Sequence, residues 1–192
     1  YLSIQDNLKP NVKIIAVSKT FELAKIKPLI DHGHDHIGEN KLQEAQLKWT
    51  ETIKNNKSIK LHMIGKLQSN KAKKAVDLFH YIHSLDNQRL SDVLSKAERE
   101  KNKKLNYFIQ VNIGDEPQKS GISVKDLSSF FKYCTVENKL NVIGLMVLPP
   151  QDKKDNYFLK MQNLNNSLNL KELSMGMSSD YLDALKYGAT YI

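Results

Sequence analysis

Lys19 is the residue whose type and position most directly suggest chemistry in this chain. It follows the apolar run of residues 14–17 and lies within Ser18-Lys19-Thr20. An amine at the end of a buried strand is poorly solvated, and poor solvation favours the neutral form that attacks an aldehyde to give a Schiff base. The competing interpretation is a lysine that has reached the rim of a sheet and points into water.

A second candidate lies near the carboxyl end of the chain, at Ser178 and Ser179. These serines open a segment that predicts a helix over residues 179–187. A serine at a helix start normally caps the helix. The same geometry presents backbone N–H groups and a positive dipole end to an anion. Gly176 lets the backbone approach such an anion closely, and the two interpretations are compatible.

Asn40 is a third candidate because it follows Gly38-Glu39 at the end of a short apolar run. It is one of the polar residues expected at the carboxyl ends of the strands. Capping of the helix that follows it fits the sequence equally well.

Short apolar runs alternate with amphipathic stretches along the whole chain. The runs predict strands over residues 12–17, 36–38, 60–64, 80–84, 106–112, 141–145, 172–174 and 191–192. The stretches predict helices over residues 23–32, 41–54, 69–78, 87–101, 124–133, 153–169 and 179–187. Strict alternation indicates a parallel sheet, and eight strands indicate closure into a (β/α)₈ TIM-type barrel. A doubly wound open sheet is the alternative, but the chain lacks a Gly-rich first turn.

The two ends of such a barrel differ in composition. In barrels of this kind, the chemistry lies at the carboxyl ends of the strands. Apart from Met146, the residues predicted there are polar or lie in glycine-containing segments: Lys19, Glu39-Asn40, 65–70, Asp86, Asn112, Met146 and 174–179. The asymmetry predicts a small-molecule site on one face. No linker divides the chain, so we expect residues 1–192 to form one domain.

Composition narrows the remaining classes of protein. The one cysteine, Cys134, allows no intrachain disulfide; we expect it to be a packing residue in a reducing compartment such as the cytoplasm. No apolar run approaches the roughly 20 residues that span a bilayer, so we expect no membrane partner. The net charge of +8 raises the question of nucleic acid, but the basic residues are dispersed and favour no such partner. His32, His34 and His36 supply only part of a zinc ligand set, so no metal is expected.

Four segments together resemble the pyridoxal phosphate homeostasis proteins, which are single-domain relatives of the N-terminal barrel of alanine racemase. The segments are AVSKT (16–20), IGEN (37–40), HMIGKLQSNK (62–71) and LSMGMSSD (173–180). KSGI (119–122) and GLM (144–146), with Pro149-Pro150, fit the same family. The resemblance runs over nearly the whole chain.

The resemblance implies an alanine racemase-like barrel that binds pyridoxal 5′-phosphate through Lys19 as an internal aldimine. It implies that Asn40 lies near the cofactor ring, and that Ser178 meets the phosphate with Met177 and Ser179 lining it. Family members continue after the last strand with an Arg-Ile-Gly stretch, whereas this sequence ends at Ile192. Because it also begins at Tyr1, we expect it to lack its extreme start and its C-terminal tail.

The resemblance also implies a role in intracellular pyridoxal phosphate, or vitamin B6, homeostasis. Such a protein holds the cofactor, as a monomer in the cytoplasm, and can hand it to apo-enzymes that depend on it. The alternative is a pyridoxal phosphate-dependent amino-acid racemase. A two-base racemase needs an acid/base on each face of the substrate α-carbon, and alanine racemases draw the second base from an additional domain and a partner subunit. The chain has no residues left for that domain, so holding is favoured over catalysis.

Overall fold

Parallel strands follow one another around a barrel, with helices between them. The computed structural model describes residues 2–5, 8–150 and 154–192. The strands are β1 (Ala16–Val17), β2 (His36–Glu39), β3 (Lys60–Met63), β4 (Tyr81–Leu85), β5 (Asn106–Asn112), β6 (Ile122–Ser123), β7 (Asn141–Met146) and β8 (Glu172–Ser174). The helices are α1 (Leu2–Gln5), α2 (Leu23–Asp31), α3 (Leu42–Asn55), α4 (Ala72–Leu78), α5 (Gln88–Lys101), α6 (Leu127–Lys132), α7 (Lys154–Ser167) and α8 (Tyr181–Lys186).

The strand order closes the sheet on itself. The strands run β1-β2-β3-β4-β5-β7-β8, all parallel, and β6 pairs only with β5 at one side. Tyr191 then bridges to Ser174 of β8 and to Lys13 just before β1. The Ile15 N–H also donates to the Ile192 carbonyl at 2.8 Å. The predicted (β/α)₈ TIM-type barrel is therefore confirmed.

The seven predicted helices and eight predicted strands all have counterparts, with shifted ends. The predicted strand 12–17 is divided, because its first half pairs with residues 190–192 and only Ala16–Val17 pair with β2. The predicted helix 69–78 begins with the 3₁₀ turn Ser69–Lys71. The start predicted at Lys153 lies outside the described residues. The short elements α1 and β6 were not predicted.

The helix predicted over residues 124–133 begins late and ends late. The Asp126 N–H donates to Ser123 Oγ at 3.1 Å and the Ser123 hydroxyl donates to the Asp126 carboxylate at 2.7 Å, which closes a turn before α6. Beyond α6 the chain continues as the π-helical turn Tyr133–Glu137. Cys134 in that turn is fully buried, which confirms its predicted packing role, and burial raises the pKa of its thiol to about 11.

The main core lies between the barrel and its helices. Its largest fully buried side chains include Trp49 of α3 and Phe158 of α7. Helix α5 shows how local sequence fixes an element: the Asn87 side chain accepts from the Leu90 N–H at 2.9 Å, and Asn102 ends the helix at φ 48°. Within the described ranges, no helix is both long enough and apolar enough to cross a membrane.

The inside of the barrel holds a chain of three hydrogen-bonded histidines. His36 Nδ1 lies 2.8 Å from His62 Nε2, His62 Nδ1 lies 2.9 Å from His83 Nε2, and His83 Nδ1 lies 2.8 Å from the Ser174 hydroxyl. The Tyr81 ring stacks on His62 at 4.2 Å between centroids. Burial holds the pKa of His62 well below its usual range and lowers the pKa of His83 to about 3. The three rings are therefore neutral at neutral pH.

These buried histidines predict that the protein loses stability in mild acid. In the unfolded chain each histidine binds a proton near pH 6.5, whereas His62 and His83 stay neutral in the folded protein to much lower pH. The unfolded state therefore takes up more protons below pH 6.5, and the stability present in full above that pH is lost as pH falls. We expect the free energy of unfolding to drop by about 1.4 kcal/mol per pH unit for each histidine that stays neutral in the folded protein.

Urea unfolding at pH 7.5, 6.0 and 5.0 measures this slope. Ordinary carboxyl groups titrate little in this interval, because their pKa values are about 4. The matched control is His32→Ala, because His32 is exposed and lies outside the chain of rings. The control should keep the parent slope. A free energy of unfolding that stays constant from pH 7.5 to 5.0 would contradict the prediction.

Candidate ligand site

Lys19 lies in the turn that follows β1, at the carboxyl end of the barrel. Ser18 is buried, whereas Lys19 and Thr20 are exposed. The Lys19 amine makes no hydrogen bond or ion pair with any residue of the described ranges. The expectation of poor solvation is wrong for this residue, because β1 is only two residues long and is not a buried strand: Ala16 is half-buried and Val17 is exposed. Lys19 therefore offers an accessible amine that no residue in the described part of the chain binds.

A buried carboxylate beneath this turn ties three elements together. Glu39 at the end of β2 is fully buried, and its Oε1 accepts from the Ser18 hydroxyl at 2.7 Å, from Lys48 Nζ at 2.8 Å and from Trp49 Nε1 at 2.8 Å. Lys48 and Trp49 belong to α3. The end of β1, which leads into Lys19, is therefore fixed to β2 and to α3.

Sequence reasoning missed this network. The sequence predicts Glu39 only as a residue at a strand end or as a helix-start carboxylate, and it predicts no role for Lys48. One signal was available: Glu44 and Lys48 are four residues apart on a predicted helix and therefore share a face. What that face contacts depends on where the helix lies against the barrel.

Asn40 has an amide oxygen that is ready to accept a hydrogen bond. Helix α3 begins at Leu42 with Lys41 as its N-cap, so Asn40 does not cap it. Asn40 Oδ1 is buried and has no donor among the residues that the structure describes. Because an unsatisfied buried acceptor costs about 1–3 kcal/mol, a ligand that donates to it would be favoured.

The loop after β3 packs directly on Asn40. A Cβ on Gly65 would overlap the Asn40 carbonyl oxygen, so this approach requires glycine. Beside it lies a cavity of about 320 Å³ that is lined by Asn40, Lys66 and Gln68 among others. The ends of β2 and β3 thus form one wall of the barrel mouth.

Met177, Ser178 and Ser179 are exposed residues that precede α8. The expectation that a serine opens and caps this helix is wrong, because α8 starts at Tyr181 and its N-cap residue is Asp180. The Asp180 carboxylate accepts from the Met177 N–H at 2.6 Å, which closes a turn and delays the helix. The N–H groups of Ser178 and Ser179 donate to no atom of the described residues.

Gly176 shapes this loop. Its φ is +96°, a value that favours glycine, and a Cβ there would lie 2.9 Å from the Ala184 Cβ. The loop therefore packs closely on α8 while leaving the serine N–H groups accessible.

The candidate residues lie on neighbouring strand ends. Val17 pairs with Gly38, so Lys19 and Asn40 follow adjacent strands. The segment around Tyr191 separates β1 from β8, which leads to Ser178. An amine, an amide oxygen and backbone N–H groups that have no partner among the described residues lie on one rim and suit a ligand with a reactive carbonyl and an anionic group.

Comparison with known proteins identifies the family. Residues 1–191 match the family model described as alanine racemase, N-terminal domain. A pyridoxal phosphate homeostasis protein of Synechocystis sp. is 37% identical, over 100% of this chain and 92% of the relative. A protein of the same name from Aquifex aeolicus is 35% identical, over 94% of this chain and 82% of the relative.

Solved structures agree with this assignment. PipY of Synechococcus elongatus PCC7942 with pyridoxal phosphate bound has a TM-score of 0.90 and 33% identity, and the match covers 100% of this chain and 93% of PipY. Alanine racemase of Clostridium difficile 630 has a TM-score of 0.76 at 11% identity, a likeness of fold alone; the match covers 100% of this chain and 53% of the racemase. The chain therefore belongs to the pyridoxal phosphate homeostasis protein family, and its barrel has the fold of the N-terminal domain of alanine racemase.

Proposed function

We propose that this chain binds pyridoxal 5′-phosphate and holds it through Lys19 as a Schiff base, in the service of vitamin B6 homeostasis. The observation that carries the proposal is the accessible Lys19 amine just after β1, which has no partner among the described residues, in a barrel that resembles PipY with pyridoxal phosphate bound. When bound, the cofactor supplies an aldehyde and a phosphate. The Lys19 nitrogen adds to the aldehyde carbon, a C=N bond forms, and the carbonyl oxygen leaves as water.

The residues on the rim fit the other parts of this ligand. Asn40 Oδ1, which is buried and has no donor among the described residues, would accept a hydrogen bond from a polar group of the cofactor ring. Ser178 and Ser179 donate backbone N–H groups to the phosphate, and Met177 lines the same loop. The Ser178 hydroxyl adds a further donor, which is exposed and makes no hydrogen bond within the described part of the chain.

Ser178→Ala should weaken phosphate recognition without weakening the fold. We expect the Kd for pyridoxal phosphate to rise roughly tenfold through loss of one hydrogen bond to a charged group, while the Kd for pyridoxal stays unchanged. The free energy of unfolding should change by less than about 0.5 kcal/mol, since the serine is exposed and does not cap α8. Fluorescence titration with the two ligands gives both constants.

The matched control for that variant is Ser58→Ala, an exposed serine that precedes β3 at the other end of the barrel. It should leave both dissociation constants unchanged. If Ser178→Ala leaves the ratio of the two constants at the parent value, Ser178 does not recognise the phosphate.

Reversible holding, rather than turnover, is the proposed activity. The relatives carry the name of homeostasis proteins, and a two-base racemase requires an acid/base on each face of the substrate. In the same proposal, residues 1–192 act as one domain and as a monomer in the cytoplasm. The receiving partners are apo-enzymes that depend on pyridoxal phosphate.

The decisive experiment is an absorbance spectrum of the protein mixed with pyridoxal phosphate, before and after borohydride reduction, with mass mapping of the modified peptide. A reducible imine band with the adduct on Lys19 is expected. A band that maps to other lysines, or no band at saturating cofactor, would overturn the assignment. Mixing the loaded protein with an apo-aminotransferase then tests transfer, because recovered transaminase activity requires release of the cofactor.

A further inference from the structure

Side chains of α3 form hydrogen bonds with the main chain on both sides of Lys19. The Ser18 carbonyl, which precedes Lys19, accepts from Lys48 Nζ at 2.7 Å. The Thr20 N–H, which follows Lys19, donates to Glu44 Oε1 at 2.5 Å. Glu44 and Lys48 are one turn apart on α3, with 3.3 Å between Oε1 and Nζ. The two peptide groups that set the direction of the Lys19 side chain are therefore both anchored to α3.

The backbone at this turn needs such an anchor. Thr20 has φ 67°, in the left-handed region that β-branched residues rarely adopt. Strained backbone of this kind persists where surrounding groups over-determine it, and it concentrates at functional sites. The Glu44 carboxylate, which accepts from the Thr20 N–H, is one such group. Thr20 directly follows Lys19 in the chain.

The charges around the turn stabilise the hydrogen bonds from α3 to the Ser18 and Thr20 peptides at neutral pH. The Thr20 N–H lowers the pKa of the Glu44 carboxyl, which therefore stays ionised. The Lys48 side chain is 8% exposed and lies between the carboxylates of Glu39 and Glu44. Its ammonium is held by both, so it stays directed at the Ser18 carbonyl.

We propose that Glu44 is a positioning residue for Lys19. Its carboxylate fixes the Thr20 peptide directly and the Ser18 peptide through Lys48, and so holds the amine in the orientation that Schiff-base formation requires. The inference rests on the proposed function of Lys19. Glu44 acts through the main chain and does not itself contact the ligand.

The test compares covalent and noncovalent binding in Glu44→Ala. In this variant the Lys48 ammonium still pairs with Glu39, which lies 2.8 Å away in the parent protein. No buried charge is therefore left without a partner, and the protein should fold. We expect the rate of adduct formation on Lys19 to fall roughly tenfold, from loss of one hydrogen bond to a charged group. The affinity for pyridoxine 5′-phosphate, which has an alcohol in place of the aldehyde, should stay within about twofold, a change below 0.5 kcal/mol.

Two further variants separate positioning from general damage. Glu44→Gln keeps an amide oxygen for the Thr20 N–H and should restore most of the rate. Glu51→Ala makes the same substitution on the same helix, where the side chain is 77% exposed and pairs with Lys54 at 2.7 Å, and should behave as the parent. Circular dichroism and thermal unfolding of each variant report the fold.

The outcomes distinguish this inference from the proposed function. A parent protein that forms no adduct on Lys19 overturns both. A parent that forms it, with Glu44→Ala equally fast, overturns only the positioning role. Equal losses of adduct formation and pyridoxine 5′-phosphate affinity would also overturn that role, because they indicate a general distortion of the rim.

Discussion

Lys19→Ala should abolish the visible imine band of the protein loaded with pyridoxal phosphate and leave the fold unchanged. Lys19 is exposed and makes no contact with the described residues that its removal would break. Surface substitutions of this kind change the free energy of unfolding by less than about 0.5 kcal/mol. The amine, by contrast, is the only atom group at this position that can form the C=N bond.

The control has to account for the many other lysines of this basic chain. Lys41→Ala removes an exposed lysine from the same end of the barrel, next to Asn40, and should keep the parent band. Mass mapping after borohydride reduction follows the adduct in both variants. A Lys19→Ala protein that keeps the parent spectrum would refute the assignment of Lys19, whatever the control shows.

Glu39→Ala should produce a large loss of stability, because the carboxylate holds three donors at once. The Lys48 ammonium, the Trp49 indole N–H and the Ser18 hydroxyl all donate to its Oε1. Breaking a buried ion pair by removing one partner costs about 3–5 kcal/mol. Glu44 remains 3.3 Å from Lys48 and offsets part of this cost, so we expect about 3 kcal/mol.

That loss is large against the 5–15 kcal/mol that typically separates folded from unfolded domains. Urea unfolding of Glu39→Ala and Glu51→Ala measures the difference between a buried carboxylate at the end of β2 and an exposed carboxylate on α3. The exposed pair should contribute less than about 1 kcal/mol. A Glu39→Ala protein that loses no more than Glu51→Ala would show that the network beneath Lys19 is not stabilising.

The barrel could be read from the sequence because its signal is local and repeated. Short apolar runs of two to seven residues alternate with amphipathic stretches, and each predicts its own element without knowledge of the rest. Element ends were less accurate because side chains decide them. The Asp180 carboxylate turns back to the Met177 N–H and delays α8, and no periodicity reveals that choice.

The candidate site, like the fold, has features that the sequence predicts and features that it does not. Sequence order alone assigned Lys19, Asn40, Met177, Ser178 and Ser179 to the carboxyl ends of strands, since that end follows from the direction of each strand. The solvent exposure of these residues could not be predicted in this way. The sequence predicts a poorly solvated Lys19, but the residue is exposed, because tertiary packing leaves Val17 and Lys19 open to solvent at this rim.

By itself the sequence determined the alternation of elements, the parallel barrel that follows from it, and the rim that carries the candidate residues. Only the tertiary structure decided which distant side chains meet there. His36, His62 and His83 form one chain inside the barrel because the register of three strands aligns them. Glu44 and Lys48 reach the two peptides beside Lys19 because α3 packs against β2, the neighbour of β1, and faces the turn that follows β1. Contacts between residues far apart in sequence depend on register and packing, which local propensity does not encode.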